Sequence, residues 1–213
     1  MANKRNFIVY DLETSGLNPE KGCEIVQIGA MALKYSDYQI HEAGSFQCII
    51  KPEFPEKAQS GAISVIGEQM WSKANEEGLH PKTALRKFKD FFEEVNWSGK
   101  YWSAPIRVGY NNNCFDDKFL EYWMKHYKII GQKNDDQPWS NLSMDVYSMM
   151  FSIFGKDNLK NNKLDTFAEM LGLSRTSDTH DAMEDVEITA KIFQRYMSFM
   201  NNQIRPKIKI NND

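Results

Sequence analysis

The three cysteines of this 213-residue chain, Cys23, Cys48 and Cys114, are too few and too scattered for a disulfide framework, and none stands in a zinc-binding spacing. They read as small apolar side chains of a protein kept in a reducing cytoplasm. Histidine is scarce as well, with four in the chain, which disfavours a zinc centre built on Cys and His. Long hydrophobic runs are missing. Phe7-Ile8-Val9-Tyr10 is among the longest and stops at an aspartate, far short of the roughly 18 apolar residues of a membrane span, so no membrane contact is expected. The basic start, Met1 to Arg5, leads into an apolar stretch too short for a secretory signal. Positive charge is in slight deficit: 26 Lys+Arg against 29 Asp+Glu give a formal net charge of -3. Proteins that coat duplex nucleic acid carry a clear positive excess. Any nucleic acid handled here is therefore expected to be gripped over a short stretch or at an end, with bound cations supplying part of the positive charge. Internal repeats, low-complexity tracts and domain-separating linkers are also lacking. What is there, 41% hydrophobic and 26% charged residues, belongs to an ordinary folded chain able to bury about 70% of its unfolded surface.

Hydrophobic patterning predicts an α/β domain. Phe7–Tyr10 reads as a strand buried on both faces, and Ile25–Leu33 and Ser45–Ile50 as two more in quick succession, an antiparallel meander. Residues 51 to 80 are irregular, with one short helical piece near Ala62–Ile66. Pro81 opens an amphipathic helix carrying Ala84, Leu85, Phe88, Phe91, Phe92 and Val95 at three- and four-residue steps. Ile106–Tyr110 and Leu142–Val146 are the remaining strand candidates. Helices are expected around Phe115–Trp123, Tyr147–Phe154, Leu164–Leu171 (stopping at Gly172) and Asp181–Phe199. The polar segment 131 to 141 reads as a surface loop. The expected organisation is one domain over residues 1–200 and a flexible polar tail over 201–213.

Three acidic clusters stand at the ends of these elements. Asp11 and Glu13 are two apart, so on a strand they face the same way, and two carboxylates taken out of water side by side call for a compensating cation. Asp116 and Asp117 follow Asn111-Asn112-Asn113-Cys114-Phe115, between an apolar strand and an aromatic-rich helix. His180-Asp181-Ala182-Met183-Glu184-Asp185 enters the last helix. His180 and Asp185 are five apart, about 140° around a helix, so to share a site His180 must lie in the loop before it. Each cluster alone has a plain explanation in turn preference or helix-end electrostatics. Together they supply four carboxylates and a histidine at strand ends and helix starts, where open α/β sheets assemble sites. That inventory suits two Mg²⁺ or Mn²⁺ ions about 3.5–4 Å apart.

In order and spacing, Asp11-Leu12-Glu13-Thr14, Asn112-Asn113-Cys114-Phe115-Asp116 and His180-Asp181-Ala182-Met183-Glu184-Asp185 resemble the three motifs of the DEDDh (DnaQ-like) 3′→5′ exonucleases. Met144-Asp145-Val146 and Lys163–Leu173 resemble that family's approach to its third motif, and the likeness runs from about Phe7 to Phe199. It extends to the proofreading exonuclease subunits of bacterial replicative polymerases. The resemblance implies a ribonuclease H-like fold, a central mixed five-stranded sheet flanked by helices, and release of 5′-mononucleotides from a 3′ end. It implies two divalent metal ions held by Asp11, Glu13, Asp116 and Asp185, with Asp11 bridging them. It also implies a proton acceptor in His180 and contacts to the terminal nucleotide from Leu12, Thr14 and Asn112. The register within the second and third motifs is open by one, because Asp117 adjoins Asp116 and Glu184 adjoins Asp185. Phe115 and Val186, read as inward-turning, favour Asp116 and Asp185. Two such ions would bring the formal charge from -3 to +1. The expected substrate is DNA, single-stranded or frayed, with an exoribonuclease using the same site as the alternative and a non-catalytic nucleic-acid-binding module behind both. Phe54 and Trp71 are candidates for base stacking. If the protein proofreads, its polymerase is expected on a separate chain.

Overall fold

The computed structural model describes residues 5–36, 39–96, 103–132, 136–155, 160–176 and 180–204. Five strands, β1 (Arg5–Thr14), β2 (Ile25–Ser36), β3 (Gln39–Ile49), β4 (Ile106–Gly109) and β5 (Ser143–Asp145), form one sheet in the order β3-β2-β1-β4-β5. The first three pair antiparallel, while β1–β4 and β4–β5 are parallel. This is the mixed five-stranded sheet that the family resemblance implies. Seven α-helices surround it among the described residues: α1 (Ser60–Ile66), α2 (Glu68–Glu77), α3 (Pro81–Val95), α4 (Asp116–His126), α5 (Val146–Phe154), α6 (Leu164–Met170) and α7 (Ala182–Ile204).

β1 is central because alternate side chains feed two cores. Ile8, Tyr10 and Leu12 pack with Phe88 and Phe92 of α3 and Phe119 and Trp123 of α4. Phe7 and Val9 pack with Val146 and Met150 of α5, Phe167 of α6, and Val186, Ile192 and Phe193 of α7. Each such side chain contributes about 1.5–3 kcal/mol by leaving water, so β1 is fixed from both sides. None of the helices among the described residues is long and apolar enough to cross a membrane.

Several boundaries differ from the sequence expectation. β1 runs on through Thr14, so both motif acids lie within the strand rather than after it. β3 begins at Gln39 because its ladder to β2 continues through polar, largely solvent-facing residues that carry no apolar signal. The irregular stretch holds two helices, separated at Gly67, whose φ of 86° breaks the helical path. Trp139, in the segment read as a surface loop, is fully buried, edge-on to Phe92 with ring centroids 5.3 Å apart and beneath the Arg107 guanidinium at 4.9 Å. Helix α7 continues to Ile204, past the expected start of the tail, and residues 205–213 lie outside the described residues.

Candidate active site

The strand alternation that sends Phe7 and Val9 into the α5–α7 core sends Asp11 and Glu13 the same way, at the open end of that layer. There they meet residues from the β4–α4 junction and the start of α7 around a cavity of about 550 Å³. Its wall includes Asp11, Leu12, Glu13, Phe115, Asp116, His180 and Asp185.

The partners of the two acids on β2 hold α7 in place. Glu13 stands opposite Gln27 and Asp11 opposite Gly29. The fully buried Gln27 donates from Nε2 to Asp181 Oδ2 (2.8 Å) and accepts at Oε1 from the Ala182 N–H (3.2 Å). Asp181 in turn caps the helix, its Oδ1 accepting from the N–H groups of Met183 (3.0 Å) and Glu184 (3.2 Å). Gly29 lets this turn approach the sheet: a Cβ there would stand 2.6 Å from the Ala182 carbonyl. Asp185, one turn into α7, therefore faces β1. His180 precedes the helix, its backbone N–H bonded to Val65 O of α1 (3.2 Å) and its Nδ1 3.4 Å from Asp185 Oδ2. On the other side, Asp116 begins α4 and its Oδ1 accepts from the Leu12 N–H (3.1 Å).

Burial dominates the electrostatics. It raises the Asp11 carboxyl well above the usual carboxylate range, and repulsion from Asp116, Glu13 and Asp185 adds to the effect. Glu13 is pushed up to about 7 by burial, opposed by the nearby His180. Asp116 is raised by burial and only partly relieved by the Leu12 N–H. The hydrogen bond to Asp185 raises His180, against the opposing effect of burial. Carboxylates forced together at such cost are what a divalent cation would relieve. Ligand atoms of Glu13, His180 and Asp185 all lie within 4.8 Å of one another, close enough to share one ion. The donor set fits a hard, oxygen-seeking cation.

The adjoining acid of each motif is engaged elsewhere. Asp117 turns away from the cavity: its Oδ1 accepts from the Tyr10 hydroxyl and lies 3.2 Å from Arg107 Nη1. Glu184 Oε1 accepts from the Thr176 hydroxyl at 2.7 Å, tying the preceding loop to α7. Phe115 is half-buried, packed against the core on Phe119, and it also lines the cavity.

Two residues named as nucleotide contacts are not brought to the cavity. Thr14 is buried, its hydroxyl donating to Gly16 O at 2.7 Å. Asn112 is 0% exposed and donates from Nδ2 to Ser143 Oγ at 2.9 Å, so the polar residue on the wall is its neighbour Asn111. Asn111 adopts φ 59° and donates its N–H to Asp145 Oδ1 at 2.8 Å. Phe54 and Trp71 also stand away from the wall: Phe54 is exposed, and Trp71 packs beside Val26, Ile66 and Ala74. Aromatic surface comes instead from Tyr110 and Tyr147, in edge contact at 5.7 Å. Lys163, Asp165 and Arg175 are further charged wall residues, to which the sequence assigned no role. The Arg175 Nη1 group contacts Asp185 Oδ1, and its Nε pairs with Asp165 Oδ1.

An exonuclease family model, RNase_T, matches residues 8–193. Among curated proteins, the chain is 30% identical over 194 residues to a PolC-type DNA polymerase III of Thermotoga petrophila, covering 91% of this chain and 12% of that protein. It is 27% identical over 209 residues to the 3′-5′ exonuclease DinG of Bacillus subtilis, covering 97% and 19%. The chain thus spans less than a fifth of either relative. In fold it is similar to E. coli exonuclease I in complex with a dT13 oligonucleotide, with a TM-score of 0.71 at 19% identity over 95% of this chain and 42% of that one. With a ribonuclease H-like sheet and a family match over nearly its whole length, the chain belongs to the RNase_T exonuclease family.

Proposed function

We propose that the protein is a 3′→5′ exonuclease that hydrolyses the terminal phosphodiester of single-stranded or frayed DNA to 5′-mononucleotides. The observation that carries this reading is the convergence of Asp11, Glu13, Asp116, Asp185 and His180, from three distant segments, on one cavity. The four carboxylates would hold two Mg²⁺ or Mn²⁺ ions. Such ions, when bound, supply Lewis acidity that makes water a nucleophile near neutral pH and offsets charge on the phosphoryl oxygens.

The remaining chemistry belongs to the chain. Asp185 faces Nδ1 of His180, fixing the tautomer and leaving Nε2 to accept the proton of the attacking water. The Leu12 N–H holds Asp116 in one rotamer, so its free oxygen stays directed at the cavity. Leu12, Phe115, Tyr110 and Tyr147 give the wall apolar and aromatic surface, suited to the face of a base and tolerant of sequence.

DNA is favoured because one relative is a PolC-type DNA polymerase III and exonuclease I, similar in fold, is seen in complex with dT13. The PolC-type relative also supports a role beside a polymerase. The test is a 5′-labelled oligonucleotide, as DNA and as RNA of matched sequence, incubated with Mg²⁺, Mn²⁺ or EDTA. The reading expects a ladder shortening from the 3′ end, faster on DNA, abolished by EDTA and by Asp11→Ala. Faster shortening of RNA would reassign the substrate, and an intact strand under every cation would remove the exonuclease reading.

A further inference from the structure

Arg175 lies in the loop between α6 and α7 and reaches into the acidic cavity. Its side chain is only 13% exposed. Nη1 contacts Asp185 Oδ1, and Nε pairs with Asp165 Oδ1. Apart from that ion contact, neither Arg175 Nη1 nor Asp185 Oδ1 has a hydrogen-bond partner. The other oxygen of Asp185 faces His180. Both oxygens of a carboxylate that the proposed cation needs are thus engaged, one of them by a fixed positive charge.

The two carboxylates on Arg175 differ. Asp185 is deep, with a side chain 7% exposed, whereas Asp165 sits at the rim with a side chain 43% exposed. The guanidinium spans them, holding one acid at the heart of the cluster and one at the edge of solvent. Its positive charge also acts on Asp11 and Glu13, stabilising the ionised form of both. A guanidinium cannot lose its proton to relieve competition with a metal ion, so it must move.

We propose that Arg175 is a built-in counter-cation, which holds Asp185 in the metal-free protein and is displaced from it, while keeping Asp165, when a divalent ion binds. The inference rests on the two-cation exonuclease reading. Arg175 then sets the concentration at which the site loads: its charge stabilises the empty cluster, and every ion that enters must overcome that stabilisation. Removing the charge leaves Asp185 buried beside His180 but without its fixed positive partner, which destabilises the empty state alone and tightens cation binding.

The test is calorimetric titration of the full chain with Mn²⁺, comparing wild type with Arg175→Gln and Arg175→Lys. Arg175→Gln is expected to bind Mn²⁺ about five- to tenfold more tightly and to gain more thermal stability from saturating Mn²⁺ than wild type. Arg175→Lys keeps the charge and should stay close to wild type, and it also carries the comparison if the glutamine variant does not fold: a lysine variant binding tenfold more tightly would overturn the proposal. Unchanged or weaker binding in Arg175→Gln would overturn it too, making Arg175 a bridge between loop and helix and nothing more. Failure of the underlying reading looks different: wild type itself would take up no Mn²⁺ and shorten no strand.

Discussion

Asp116 is pulled in two directions. Burial and the neighbouring acids resist its charge, while the Leu12 N–H favours it. Glu13 shares the problem and holds its proton up to about pH 7. A carboxyl whose folded-state proton affinity is raised stabilises the fold below its unfolded value, near 4.5, and that contribution is lost as pH rises through the folded value. His180, raised by Asp185, acts in the same sense. The metal-free protein is therefore expected to lose thermal stability between about pH 5 and pH 8. Millimolar Mg²⁺ should restore most of the loss, and Glu13→Gln should flatten the profile. Melting curves at several pH values with and without Mg²⁺ check this, and a Tm that rises with pH in EDTA would contradict it. For His180 the expectation separates two roles. As the proton acceptor, His180→Ala lowers kcat by about 10²–10⁴-fold and leaves Mn²⁺ affinity little changed. An equal collapse of Mn²⁺ affinity would make it a cation ligand instead.

At the scale of elements, the site depends on how closely α7 approaches the sheet. Gly29→Ala places a Cβ 2.6 Å from the Ala182 carbonyl, so the first turn of α7 must shift. A displacement of this kind, carrying Asp185 and His180 away from β1, is expected to cost about 10²-fold in kcat and about 1–3 kcal/mol in stability. Steady-state kinetics beside urea denaturation would measure both, and unchanged kinetics would mean that α7 needs no such approach. Trp139→Ala should leave the chemistry alone but cost about 3–5 kcal/mol in the same urea experiment, since the indole is fully buried between Phe92 and Arg107. These two positions mark what the sequence could and could not disclose. The three acidic motifs stand out because charge interrupts apolar periodicity at Asp11, Asp116 and Asp185. Gln27 and Gly29 look like ordinary breaks in a strand, because their function is to receive a helix distant in sequence. Trp139 was hidden by polar neighbours. Arg175, in a loop without periodicity, has meaning only beside Asp185, and Asn112 and Thr14 matched a motif while their side chains turned into the fold.

For the molecule as a whole, the proposed function sets a modest negative charge against an anionic substrate. The formal charge of -3 offers a nucleic acid strand little attraction by itself. Two divalent cations held by the four carboxylates, as proposed, would cancel the negative charge at the cavity end of the sheet. The proposed function therefore expects a strand end to be engaged there, without the coating of a duplex. This chain corresponds to only 12% of the PolC-type relative and 19% of DinG. The measurement that reaches the central claim most directly is hydrolysis of a single-stranded DNA in ¹⁸O-labelled water with Mn²⁺, the released nucleotides being identified by mass spectrometry. The account predicts 5′-mononucleotides from the 3′ end, each carrying one solvent ¹⁸O on its phosphate, and none with EDTA or in Asp11→Ala. Nucleoside 3′-phosphates, phosphate without solvent oxygen, or equal release in EDTA would contradict it.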